Sequence, residues 1–224
     1  GLPSKSNFLR IIPPMSSSST DNIIERLGSK IVIASGNAHK IDEFQSLLKA
    51  PNRFVSQRDL GVVEVPETGQ TFLENALIKA RNAAKETGLP ALADDSGLVV
   101  AALSGAPGIY SARYAGPDAS DQENCQHLLQ AMTGKTDRAA FFHATIVFLL
   151  HAEDPDPVIA QGRWHGEILA QGQGNKGFGY DPLLYLAKQK KSAAELTARQ
   201  KNRLSHRGKA LRQLLTNLSK RFPA

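Results

Sequence analysis

The chain has a single cysteine, Cys125, among 224 residues. That excludes an intramolecular disulfide and any metal site built from several cysteines. A reducing, cytoplasmic setting is the expectation. No apolar run approaches the ~20 residues that a membrane-spanning helix needs. Internal repeats, low-complexity stretches and an obvious linker are also missing, so a repeat array is excluded. Acids are scarce in one region: none lies between Leu196 and Ala224, which carries Arg199, Lys201, Arg203, Arg207, Lys209, Arg212, Lys220 and Arg221. With a net charge of +6 and a pI near 9.5, this imbalance points to an anionic partner, either nucleic acid or nucleotide phosphate. A solvated basic helix is the plain alternative for most of these residues.

What remains is ordinary globular composition, 41% hydrophobic and 21% charged, in a length that fits one large domain or two lobes sharing a cleft. Gly1 to Pro14 precedes Met15, which reads as the native start, with residues 1–14 as added sequence. Residues 1–28 are expected to be a poorly ordered N-terminal extension, and residues 29–222 a single domain.

Local patterns supply the elements. Lys30 to Ser35 is a short β-branched run, hence a buried strand. A helix follows, with Ile41, Phe44, Leu47 and Leu48 at helical spacing, and Phe54 to Ser56 is a second strand. Thr71 and Glu74 form a capping box that opens a helix ending at Gly88. Its apolar face is Leu73, Leu77, Ala80 and Ala84, and its polar stripe is Asn75, Lys79 and Asn82. An apolar run from Leu89 to Ala93 predicts a strand that ends at Asp94-Asp95, with Asp-Ser-Gly as the turn. Residues 104–117 read as an ordered loop, and Asp118 to Met132 as a helix. Two long strands are expected near 138–151 and 157–169, then a Gly-rich loop over 172–181 and a basic helix with Leu204, Leu211, Leu215 and Leu218 on one side. Strands alternating with helices early, and an antiparallel pair late, predict an α/β fold with a mixed sheet.

The Asp94-Asp95 doublet is the sharpest chemical signal. Two ionised carboxylates beside a buried strand are costly unless cations accompany them. Side chains alternate on extended backbone, so one carboxylate can enter a cleft while the other braces the loop behind it. A divalent metal with a phosphorylated substrate would explain both, although an acidic turn is an equal contender. Ser35-Gly36-Asn37-Ala38-His39-Lys40 lies between a strand and a helix, where backbone N–H groups and Lys40 can hold phosphate, although an ordinary strand-to-helix turn is the stronger reading of this stretch alone. Glu67, in a turn before the capped helix, has the oxygen chemistry of a Mg²⁺ ligand, with a solvated turn glutamate the plainer reading until a partner is identified. In the Gly-rich loop, Phe178 and Tyr180 offer flat faces for a purine and Asp181 an acceptor for base edges. Near the start of the last helix, His206 and Arg207 can donate to a purine O6. Lys201 and His206 would diverge by about 140° on one ideal helix, so both reach one ligand only if a kink or helix start separates them.

Taken together, S-G-N-A-H-K, E-T-G-x-T-F-x-E-N-A, A-D-D-S-G-L, G-A-P-G-I-Y-S-A-R-Y, G-F-G-Y-D-P and S-H-R occur in one order over about residues 30–220. This set resembles the inosine/xanthosine triphosphate pyrophosphatase family. The resemblance implies an elongated α/β fold, with a mixed central sheet flanked by helices and two lobes around a substrate cleft. It implies Mg²⁺-dependent hydrolysis of ITP, dITP and XTP to the monophosphate and pyrophosphate, by a homodimer without a stable nucleic-acid partner. By motif, Asp95 would be the catalytic carboxylate, as proton acceptor or metal ligand, with Asp94 beside it and Glu67 a second metal ligand. Ser35, Gly36, Asn37, Ala38, His39, Lys40, Lys79 and Ser96 would hold the triphosphate. Phe178 would stack on the base, with Gly179 and Tyr180 in the same loop, while Asp181, Lys201, His206 and Arg207 would fix substrate and base edges. Pro66 departs from the pattern, since some members carry a second acid there. Two rival readings are a non-catalytic nucleotide- or RNA-binding protein and a pyrophosphatase for modified pyrimidine nucleotides.

Overall fold

The computed structural model describes residues 23–50 and 52–223. Seven strands form one mixed sheet in the order β2-β1-β3-β4-β5-β6-β7. They are β1 (Ile31–Ile33), β2 (Phe54–Ser56), β3 (Ala91–Val100), β4 (Ala139–Leu149), β5 (Val158–Ile168), β6 (Leu184–Leu186) and β7 (Lys191–Ser192). β2, β1 and β3 run parallel, and every later pairing is antiparallel. The helices whose ends both lie among the described residues are α1 (Ala38–Leu48), α2 (Phe72–Thr87), α3 (Asp121–Ala131), α4 (Ala198–Leu204) and α5 (His206–Arg221). The expected mixed α/β sheet with flanking helices is the observed architecture.

Local chemistry sets the element ends. In α2 the Thr71 hydroxyl accepts from Glu74 N while the Glu74 carboxylate accepts from Thr71 N, and Gly88 closes the helix at a φ of 67°. Side chains on β3 then alternate as extended backbone requires. Leu92 joins a core with α1 and α5 on one face of the sheet. Ala91 and Ala93 join a core with the α2 alanines on the other. A third core gathers Leu98, Val100, Leu128, Phe142, Trp164 and Leu184 farther along the sheet.

Several expectations change. The acidic doublet does not end its strand: β3 continues through Asp94, Asp95, Ser96 and Gly97 to Val100, because β4 pairs with it over that whole length. Cross-strand hydrogen bonding thus overrides the local turn chemistry of Asp-Ser-Gly. The expected single basic helix is two, since Ser205 ends α4 and caps α5 by accepting from Gly208 N. Within the polar stripe of α2, Asn75 is buried, its Oδ1 accepting from Gly69 N. Residues 104–117 include a 3₁₀ turn at Gly108–Arg113. The N-terminal boundary also moves, because Ile23, Ile24 and Leu27 are buried against α1 and α5. The expectations for Met15 and residues 1–14 lie outside the described residues.

The topology creates an opening beside the doublet. β1 pairs with β3 only at Val32–Ala91 and Ile33–Leu92, and its chain then leaves through Ser35 and Gly36 to start α1. The β3 edge from Asp94 onward therefore has no parallel neighbour. Such carboxyl-end gaps between parallel strands are where open α/β sheets take ligands.

Candidate active site

That gap opens into a cavity of about 420 Å³, a size suited to a small-molecule ligand. Ser35, Gly36 and Asn37 from the β1–α1 turn and Lys40 from the first turn of α1 line it, with Glu67, Lys79, Ser96 and Gly97. Phe178, Gly179, Tyr180, Asp181, Lys201, His206 and Arg207 complete the lining, and Lys40 and Arg207 meet at Asp94. Among the sequence-expected residues, Asp94 and Asp95 lie behind this lining, held to lysines that do reach it. Ala38 and His39 are not in the lining either; His39 instead stacks on Phe178, with ring centroids 5.1 Å apart.

Asp94 and Asp95 face opposite sides of the sheet and have opposite electrostatics. Asp94 is fully buried facing α5, where it accepts from Arg207 Nε at 3.2 Å and Ser96 Oγ at 3.0 Å and pairs with Lys40 Nζ at 2.8 Å. Burial raises its pKa, but Arg207 and Lys40 outweigh that and hold the carboxyl well below its ordinary value. Asp95 faces α2, where Lys79 Nζ donates to Oδ1 at 3.2 Å, and Oδ2 has no hydrogen-bond partner. Its burial exceeds the attraction of Lys79 and Lys40, so its pKa is pushed up to about 6. Lys79 also pairs with Glu67 Oε1 at 3.1 Å. Although burial disfavours its charge, Asp95 and Glu67 together keep the ammonium above its ordinary value.

Ser205 supplies the helix start that the sequence reading required, so Lys201 from α4 and His206 and Arg207 from α5 face one space. Lys201 Nζ donates to Asp181 Oδ2 at 2.7 Å and pairs with Glu43 Oε1 at 2.9 Å. Arg207 pairs with both Glu43 and Asp94. The two cations lie over the Phe178 ring, 4.4 Å away for Lys201 Nζ and 5.9 Å for the Arg207 guanidinium carbon. His206 stacks on both Phe142 and Trp164, cross-strand neighbours on β4 and β5, and its Nδ1 has no partner among the described residues. Burial, with Arg207 adjacent, drives its pKa well below the usual imidazole value, so it is neutral at pH 7.

One expectation narrows here and another is corrected. Asp181 Oδ2 is engaged by Lys201 Nζ and by Phe178 N, so this oxygen shapes the loop rather than standing open to a base edge. Tyr180 does not offer a free stacking face; it is buried, and its hydroxyl donates to Ser111 O at 2.6 Å. Sequence reasoning missed Glu43, which ties Lys201 to Arg207. It lies one helical turn after Lys40, and that K-x-x-E spacing was the available signal. Asp121, whose carboxylate accepts from Gly179 N at 2.7 Å, and Asn124 also line the cavity and were not foreseen. Nothing local marks them, because their roles depend on where α3 packs.

Comparison with known proteins addresses the whole of this arrangement. The Ham1 family model matches residues 31–217. The chain belongs to the Ham1 family. A relative from Shigella flexneri, named dITP/XTP pyrophosphatase, is 54% identical over 192 residues, covering 84% of this chain and 98% of its own. Another of the same name from Vibrio parahaemolyticus is 52% identical over 193 residues, covering 85% of this chain and 96% of its own. A solved HAM1 protein from Coxiella burnetii superposes with a TM-score of 0.80 at 49% identity, over 86% of this chain and 100% of that one. The Ham1 match spans every element that lines the cavity.

Proposed function

We propose that this protein hydrolyses deaminated purine nucleoside triphosphates (dITP, XTP and ITP) to the monophosphate and pyrophosphate, removing them from the nucleotide pool. The observation that carries the reading is one cavity lined both by a helix start with lysines and by an aromatic loop with buried donors. A triphosphate and a purine need those two sets of groups in one space.

At the phosphate end, the α1 start and Lys40 hold the tail. Asp95, with its pKa near 6, is ionised at neutral pH yet basic enough to accept a proton from the attacking water. Lys79 stabilises charge that develops on the departing pyrophosphate. The donors also fit Mg²⁺. Glu67 and Asp95 present carboxylate oxygens toward one point, and Asp95 Oδ2 is an unused buried acceptor. One or two carboxylates plus substrate phosphates is the usual protein share of a Mg²⁺ shell. When bound, Mg²⁺ would neutralise polyphosphate charge and lower the pKa of the attacking water.

At the base end, Lys201, Arg207 and neutral His206 select for an acceptor at purine O6. Adenine presents a donor there and would leave buried donors unpaired, which such sites penalise heavily. The basic C-terminal run argues against the RNA-binding alternative. Lys201 and Arg207 are buried in ion pairs, Lys209 and Arg212 donate to backbone carbonyls, and Arg221 grips Asp154. Homodimer formation is carried over from the family resemblance and a cytoplasmic setting from the single cysteine, and light scattering on the purified protein tests the first.

A panel of ITP, dITP, XTP, GTP, ATP and modified pyrimidine triphosphates with Mg²⁺, read by product identity, tests the proposal. Pyrophosphate release from the deaminated purines, with far slower turnover of ATP, is expected. Equal turnover of ATP, or orthophosphate as the product, overturns it.

A further inference from the structure

Lys79 already holds one oxygen of Asp95 and one of Glu67. Its ammonium lies 3.2 Å from Asp95 Oδ1 and 3.1 Å from Glu67 Oε1. The backbone beneath Lys79 is fixed: α2 starts at a capping box, and Ala76, Ala80 and Ala83 are buried against the sheet. The long side chain is the part able to move. An ion shared by Asp95 Oδ1 and Glu67 Oε1, at Mg²⁺–oxygen distances of about 2.0–2.1 Å, takes the gap the ammonium now fills. Charge leads to the same result. A divalent ion with two carboxylates is neutral, whereas retaining the ammonium beside it adds an uncompensated positive charge in a buried place. The α1 start and Lys40 line the same cavity, so a triphosphate held there gives a displaced lysine a new anionic partner.

We propose that Lys79 is a resident counter-ion which the divalent cation displaces, so that cation entry and delivery of Lys79 to the substrate phosphates are one exchange. The proposal rests on the function assigned above. In the nucleotide-free protein Lys79 neutralises two carboxylates that would otherwise repel each other across the cleft. A free cation has to evict it, and so binds weakly. A triphosphate rehouses the ammonium, so cation and nucleotide strengthen each other's binding.

The test uses the full chain without nucleotide and Mn²⁺ as the probe. Calorimetry compares wild type with Lys79→Met, and with Lys79→Gln should the first variant fail to melt cooperatively. Mass spectrometry follows reductive methylation of Lys79 in wild type with and without Mn²⁺. The exchange predicts Mn²⁺ affinity at least about tenfold tighter in the variant, together with several-fold faster Lys79 labelling once wild type is loaded. Wild type that binds no measurable Mn²⁺ while the variant does is the extreme form of the same result. Unchanged or weaker affinity in the variant, no binding by either protein, or a loaded wild type with unchanged Lys79 labelling overturns it. Failure of the underlying function is separate: a protein that passes the Mn²⁺ experiments but releases no pyrophosphate from dITP keeps the exchange and loses the substrate.

Discussion

Asp94→Asn and Asp95→Asn are neighbouring, near-isosteric changes with opposite expected effects on stability. Asp94 balances Arg207 and Lys40 in a fully buried position. Removing one partner of such a pair leaves uncompensated buried charge, so Asp94→Asn should destabilise by about 3–5 kcal/mol. Asp95 is the reverse. Its pKa rises from 3.8 to about 6 because burial outweighs its lysine partners. Ionising it in the folded state therefore costs up to about 3 kcal/mol at pH 7, and Asp95→Asn should recover much of that. The sign with pH follows. A carboxyl with a raised folded pKa lowers stability as pH climbs from its unfolded value through about 6. Wild type should thus fall behind Asp95→Asn across that window and stay behind above it, while near pH 4 the two should be alike. Urea denaturation in EDTA at pH 4 and pH 7.5 measures this directly. An Asp95→Asn protein that is less stable than wild type at pH 7.5, or a gap that does not change with pH, would refute the electrostatic assignment.

Three further changes probe the frame around the site. Gly162→Ala places a Cβ against the His206 carbonyl and 2.9 Å from Ala210 N, so α5 must lift from β5. A loss of about 1–3 kcal/mol is expected, and because His206 and Arg207 begin that helix, thermal melts and KM for ITP should shift together. Glu43→Gln removes the carboxylate shared by Lys201 and Arg207 and should lower kcat/KM for ITP about tenfold or more while narrowing the ITP-to-ATP ratio; an unchanged ratio would show that Glu43 does not set donor direction. Ser205→Ala deletes the cap on Gly208 N and should cost about 1 kcal/mol, measurable as a lower urea midpoint.

The amino-acid sequence by itself determined what depends on near neighbours. Thr71 and Glu74 start α2 and Gly88 ends it, through bonds a few residues long. The ordered motifs from Ser35 to Arg207 were legible for the same reason, since backbone turns and short spacings carry them. Alternation on extended backbone also told that Asp94 and Asp95 would part company. Tertiary structure alone decided which carboxylate is compensated. Arg207 reaches Asp94 across 113 positions, and Glu43 across 164; no local pattern encodes such partners. It likewise decided that β4 would carry β3 through an acidic Ser-Gly segment that reads as a turn, because ladder bonds to a distant strand outweigh local turn preference. Coulomb attraction and desolvation depend on distance in space and on exclusion of water, and both come into being only when the chain has closed on itself.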